Sequence, residues 1–79
     1  QDPKASPPLP GEAFAKLYGL TPSELRIVLA IAPGLQLQET AEMLGLSLAT
    51  VKSHLARIFQ KTGTSRQPEL VALLLRSSP

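Results

Sequence analysis

The chain has no cysteine, no tryptophan and only one histidine among its 79 residues. Without cysteine there is neither a disulfide framework nor a thiolate zinc site, and a lone histidine supplies little for metal binding or nucleophilic catalysis. Long apolar runs and a signal-peptide pattern are also absent. These absences favour a cytoplasmic domain that is not an enzyme and needs no cofactor. Because the chain opens with Gln1 rather than methionine, we expect a processed product or part of a longer protein.

The net charge of +2 is unevenly distributed. Residues 1–45 carry three basic and five acidic side chains, whereas residues 46–79 carry five basic side chains against Glu69 alone. The five basic residues of the second half are Lys52, Arg57, Lys61, Arg66 and Arg76. A basic half beside an acidic half indicates one face suited to a polyanion.

The length allows one small domain with a modest core. Residues 1–10 contain four prolines, which predict a flexible linker or tail that is extended where the prolines cluster. Residues 11–79 are expected to form the domain. No stretch alternates with a period of two, so we predict no sheet. The predicted fold class is all-α, with four to five helices.

Helix signals begin directly after the linker. A first helix is expected over residues 11–19, with apolar residues at helical spacing: Ala13, Phe14, Leu17 and Tyr18. The second has a strong start signal, because Thr21 can cap it, Pro22 suits its first turn and Glu24 can bond back to the cap. It should end at Pro33-Gly34. Its predicted buried face consists of Leu25, Val28, Leu29 and Ala32.

Two further helices, at about 37–44 and 48–62, are joined by a turn of three residues. Such a pair is the helix-turn-helix unit. Ala41 is small enough for close helix crossing, Gly45 suits a turn with positive φ, and Val51 can lock the second helix into the core. An ordinary helical hairpin could show the same features. We predict a DNA-binding domain, with a leucine-rich last helix from about 67 to 76.

The outward side of the fourth helix supports this prediction. If Val51, Leu55, Ile58 and Thr62 face inward, then Ala49, Lys52, Ser53, Ala56 and Gln60 face outward. Small and hydrogen-bonding side chains let a helix sit deep in the major groove, and residues 47–68 contain no acidic side chain. Arg57, Lys61 and Arg66 are predicted to contact phosphates. The predicted DNA-binding residues are Ser47, Ala49, Thr50, Lys52, Ser53, Ala56, Arg57, Lys61 and Arg66.

The sequence resembles the LuxR-type DNA-binding domain over about residues 20–76. The residues that carry the resemblance include Leu20-Thr21-Pro22-Ser23-Glu24, Ala41, Leu44, Ser47, Thr50-Val51-Lys52, His54, Ile58, Lys61, Gly63 and Ser65-Arg66. The resemblance implies a bacterial transcription regulator whose recognition helix begins after Ser47 and whose last helix supports dimerisation. The sequence departs from the family pattern at Gln36, a poorer helix cap, and at Thr40, a weaker core contact. Ala56 is another departure, and it weakens the prediction of base readout there.

Several alternatives remain open from the sequence. A sigma-factor region 4-like domain shares the helical plan, and a helical protein-interaction module without DNA binding fits the last helix. His54 has no partner cluster for catalysis or metal binding, which favours a structural or phosphate-adjacent role. The predicted partners are double-stranded DNA and a second copy, in a weak homodimer through Leu73 and Leu75. RNA polymerase is a further candidate partner, and no membrane is expected.

Overall fold

A computed structural model of the protein describes residues 11–77, and the predicted linker at residues 1–10 lies outside them. The described residues form five helices and no strand, which confirms the predicted all-α fold. The helices are α1 (Glu12–Tyr18), α2 (Pro22–Ile31), α3 (Leu37–Leu44), α4 (Leu48–Thr62) and α5 (Gln67–Ser77). None of these five helices is both long enough and apolar enough to cross a membrane.

The start of α2 is held by two reciprocal hydrogen bonds. The amide of Glu24 donates to Thr21 Oγ1 at 3.1 Å, and the amide of Thr21 donates to Glu24 Oε1 at 2.9 Å. Pro22 occupies the first helical position, where its missing amide hydrogen has no partner to lose. The capping box predicted from the sequence is therefore confirmed.

The start of α3 uses its glutamate in the same way. The amide of Gln36 donates to Glu39 Oε1 at 2.9 Å, so this helix start is supported although glutamine is a poor cap. Thr40 follows at a fully buried position. Its hydroxyl donates to the carbonyl oxygen of Gln36 at 3.0 Å, so this buried hydroxyl has a hydrogen-bond partner.

The core is built around α2, which contacts each of the other four helices. Every helix contributes to it. The buried apolar residues of the core are Phe14, Ile27, Val28, Ile31, Ala41, Val51, Leu55, Ile58, Leu70 and Leu74. Because α2 contacts both α3 and α4, its buried face helps to position the helix-turn-helix pair.

The most buried face of α2 is not the face that the sequence predicted. Of Leu25, Val28, Leu29 and Ala32, only Val28 is buried. The fully or nearly fully buried residues are Glu24, Ile27, Val28, Ala30 and Ile31. Leu25 and Leu29 lie to one side, where a Cβ atom placed on Gly11 would come within 3.0 and 3.2 Å of their side chains. Gly11, directly before α1, therefore lies against these two leucines, and the remaining helices pack on the neighbouring face.

The four apolar residues whose spacing predicted α1 differ in burial. Ala13 and Leu17 are exposed, whereas Phe14 and Ala15 are buried. The described contacts of α1 are mainly with α2 and α5, so a helix of seven residues buries only a narrow side. Tyr18 is half-buried, and its ring centroid lies 4.9 Å from that of Phe14.

Candidate nucleic-acid interface

The turn between α3 and α4 consists of Gly45, Leu46 and Ser47. Gly45 adopts φ 69°, a left-handed conformation that glycine takes without a steric penalty. The amide of Leu46 donates to the carbonyl oxygen of Ala41 at 2.9 Å and closes the end of α3. Ala41 and Val51 are both buried. The three positions that predicted the helix-turn-helix unit thus have the expected geometry.

The first turn of α4 is fixed by two hydroxyl groups. The amide of Thr50 donates to Ser47 Oγ at 3.1 Å, and the Ser47 hydroxyl donates to Thr50 Oγ1 at 2.8 Å. Ser47 is exposed and Thr50 is half-buried. These bonds hold the backbone of the two residues between them in one conformation.

The two sides of α4 match the sequence prediction. Val51, Leu55, Ile58 and Thr62 are buried. The predicted outward residues Ala49, Lys52, Ser53, Ala56 and Gln60 are all exposed. One outward residue was missed in the prediction: Leu48, the first residue of α4, is 37% exposed. Its position one helical turn before Lys52 is the sequence signal that could have revealed it.

The start of α4 differs electrostatically from the other helix starts. The first turn of every other helix contains a glutamate, whereas that of α4 contains no acidic residue. A glutamate there would compensate the partial positive charge of a helix N-terminus. Without one, this end of α4 is compatible with an approaching phosphate.

The predicted phosphate-contacting residues lie at different places. Arg57 is exposed on α4, and Arg66 is exposed just before α5. Because α4 has 15 residues, it is about 22 Å long. Ser47 and Arg66 therefore lie towards opposite ends of α4.

Lys61 has partners inside the domain. Its Nζ donates to Glu24 Oε1 at 2.7 Å and to the carbonyl oxygen of Gly19 at 3.0 Å. The Glu24 side chain is 2% exposed, and that of Lys61 is 33% exposed. This ion pair between α2 and α4 competes with the predicted phosphate contact of Lys61.

Burial raises the pKa of Glu24, but the hydrogen bonds from Lys61 and Thr21 and the charge of Lys61 outweigh it. The resulting pKa lies below its ordinary value of 4.5. The positive charge that His54 carries when protonated lowers the pKa of Glu24 in the same direction. His54 itself is half-buried, and its Nδ1 has no hydrogen-bond partner within residues 11–77. In the same span, no three histidine or acidic residues are grouped to hold a metal ion.

The two residues predicted to form a dimer contact are placed differently on α5. Leu73 is half-buried and packs against the domain's own core, whereas Leu75 is 66% exposed. Leu75 also lines a shallow, mainly apolar groove of about 600 Å³ between α5 and the α2–α3 connection. Leu35, Val71 and Ala72 line the same groove.

Comparison with known proteins identifies the family. The model for bacterial regulatory proteins of the LuxR family matches residues 19–74, well over half of the 79 residues. The chain belongs to the LuxR family. No curated protein and no solved structure matches it.

Membership of the LuxR family makes this a helix-turn-helix DNA-binding domain of a regulatory protein, a class that is not enzymatic. The matched residues contain all of α2, α3 and α4 and most of α5. They begin at Gly19, directly after α1. The match to the LuxR family therefore includes the whole helix-turn-helix pair, α3 and α4, and the helix α2 that packs against both.

Proposed function

We propose that this domain binds specific double-stranded DNA sequences, with α4 as the recognition helix in the major groove, and that it belongs to a bacterial transcription regulator. The observation that carries the proposal is the division of α4 into two sides. Its inner side is locked into the core through Val51, Leu55 and Ile58, and its outer side carries mostly small or hydrogen-bonding side chains and no acidic residue. A helix of this kind can lie deep in the groove.

The contacts divide by position on α4. Ala49, Lys52, Ser53 and Ala56 face the bases, and Lys52 can donate to guanine O6 and N7. Ser47 and Thr50 approach phosphates at the start of the helix. Arg57 and Arg66 contact phosphates along the flanks and fix the orientation on the duplex. Lys61 is left out of this set, because its ammonium group bonds to Glu24 and Gly19.

We further propose a weak homodimer through α5 that is tightened by DNA. The exposed Leu75 and the groove beside it offer the apolar surface. A symmetric dimer places two copies of α4 on two half-sites of a palindromic sequence. The regulator would act in the cytoplasm, where bacterial DNA lies, and RNA polymerase is a further candidate partner.

Selection from random duplex DNA tests the proposal. The domain should enrich one sequence class, and its affinity should fall steeply with salt, with a log–log slope of about −0.9 for each phosphate contact. A protein-interaction module would enrich no sequence and would keep its apolar association at high salt. The LuxR match favours a regulator over a sigma-factor region 4-like domain. Absence of enrichment would contradict the proposal.

A further inference from the structure

Most of the exposed side chains at the start of the recognition helix are apolar. Over residues 48–56 they are Leu48, Ala49, Lys52, Ser53 and Ala56. Three are apolar, one is a hydroxyl and one is an ammonium group. None is arginine, asparagine or glutamine, so Lys52 is the one member of the set that can pair with guanine O6 and N7, and no member can pair with adenine through two hydrogen bonds at once.

This composition limits how the helix can distinguish base pairs. A serine hydroxyl can bond to many base edges, and a lysine can equally contact a base or a phosphate. Apart from Lys52, the side chains of this set can distinguish base pairs mainly through apolar contacts. In the major groove the apolar group that distinguishes one base from the others is the C5-methyl group of thymine.

We propose, on the basis of the function proposed above, that this domain recognises A·T pairs chiefly through thymine methyl groups, and that Leu48 is a specificity-determining residue of that contact. Ala49 and Ala56 are too short to cover more than one methyl group each. Leu48 is longer, and its 37% exposed side chain provides apolar surface at the start of the helix. In helix-turn-helix proteins this is the end that meets base edges.

The geometry of Leu48 suits this role. The Ser47–Thr50 hydrogen bonds fix the backbone on both sides of it. It lies one turn before Lys52, so both side chains lie on the same side of α4. Gln60, the one outward glutamine of the helix, is about 18 Å further along the axis, away from the end that reaches the bases.

Replacing thymine by uracil removes the methyl group and leaves the base pairing unchanged. The tightest selected duplex would be scanned with one such replacement at a time, and affinity measured by fluorescence anisotropy. We expect a loss of affinity of about 3- to 5-fold at one to three positions, since each buried methyl group contributes about that much.

In Leu48→Ala the penalty at one of these positions should disappear, whereas Leu48→Met should retain it. Leu17→Ala, which removes an equally large side chain from an exposed position on α1, is the matched control and should show the full wild-type pattern.

The outcomes separate this inference from the function on which it rests. If uracil is tolerated at every position while the selected duplex still binds, methyl recognition is refuted and DNA binding stands. If Leu48→Ala keeps every uracil penalty, the assignment to Leu48 is refuted. If no duplex binds, both proposals fail. The wild-type scan decides the question of methyl recognition even if Leu48→Ala does not fold.

Discussion

Lys61 on α4 and Glu24 on α2, 37 positions apart in the sequence, form an ion pair of 2.7 Å that links the two helices. The same oxygen of Glu24 that accepts from Lys61 also accepts from the amide of Thr21. One buried carboxylate thus caps α2 and bonds to a side chain of α4. It contributes to holding α4 against α2, together with the apolar packing of Val51, Leu55 and Ile58.

Breaking this pair from the lysine side should destabilise the domain. Lys61→Met leaves the buried carboxylate with its Thr21 bond alone, which should lower the free energy of unfolding by about 2–3 kcal/mol, less than for a fully buried pair because Lys61 is partly exposed. Urea denaturation measures this. Arg57→Met, which removes an exposed cation from the same helix, is the matched control and should cost under about 0.5 kcal/mol. Equal stability of the two variants would show that the pair has no structural role.

Stability should also depend on pH through Glu24. Its pKa is lower in the folded protein than the ordinary value of 4.5, so the unfolded chain takes up the proton first as pH falls. The stabilisation is therefore complete above about pH 4.5 and is lost as pH falls through the folded pKa. The difference in unfolding free energy between wild type and Glu24→Gln should shrink over that range. A difference that stays constant from pH 6 to pH 2.5 would contradict this.

The helix limits and the faces of α4 could be predicted because their signals are local. The Thr21 cap, Gly45 and the spacing of Val51, Leu55 and Ile58 act within one or two turns, and the structure agrees with each. Thr21, Val51 and Ile58 are also among the residues that carry the resemblance to the LuxR family. Local chemistry therefore specified both the fold and the helix that carries the candidate site.

The rest depended on contacts between distant parts of the chain. A glutamate among apolar residues is normally expected to be exposed, yet Glu24 is only 1% exposed. Its burial is compensated by the ion pair with Lys61. No periodicity within α2 could show a partner in α4. The periodicity of α2 also did not show which of its sides packs against the other helices. Gly11 lies against Leu25 and Leu29 on one side, and the other helices pack on the neighbouring face.

Lys52→Ala should weaken binding to the selected duplex. Lys52 is exposed beside the buried Val51, and the loss of a base or phosphate contact should cost about 1–3 kcal/mol. Anisotropy titration at low salt measures the change. Lys16→Ala, which removes an exposed lysine from α1, is the control and should bind like wild type. An affinity unchanged by Lys52→Ala would exclude Lys52 from the interface.

Arg57→Ala and Arg66→Ala should weaken binding to all sequences by about the same factor. Each should make the log–log dependence of affinity on salt shallower by about one, since one phosphate contact is lost. Arg26→Ala on α2 serves as the control, because Arg26 is exposed outside the helix-turn-helix pair. If either substitution changed the preferred sequence and kept the salt slope, that arginine would be a base contact instead.

The dimer prediction is best tested at Leu75. Leu73 packs against the core, so Leu73→Asp should destabilise the monomer as well as any dimer, and its effect would be ambiguous. Leu75→Asp places a charge on an exposed position, so the monomer should fold while cooperative binding to a duplex with two half-sites is lost. Leu17→Asp is the matched control, because Leu17 is 68% exposed on α1.

Analytical ultracentrifugation with and without DNA measures the number of copies in the assembly. Wild-type protein that binds a palindromic duplex strictly as one monomer would refute the dimer, and cooperative binding retained in Leu75→Asp would place the contact elsewhere.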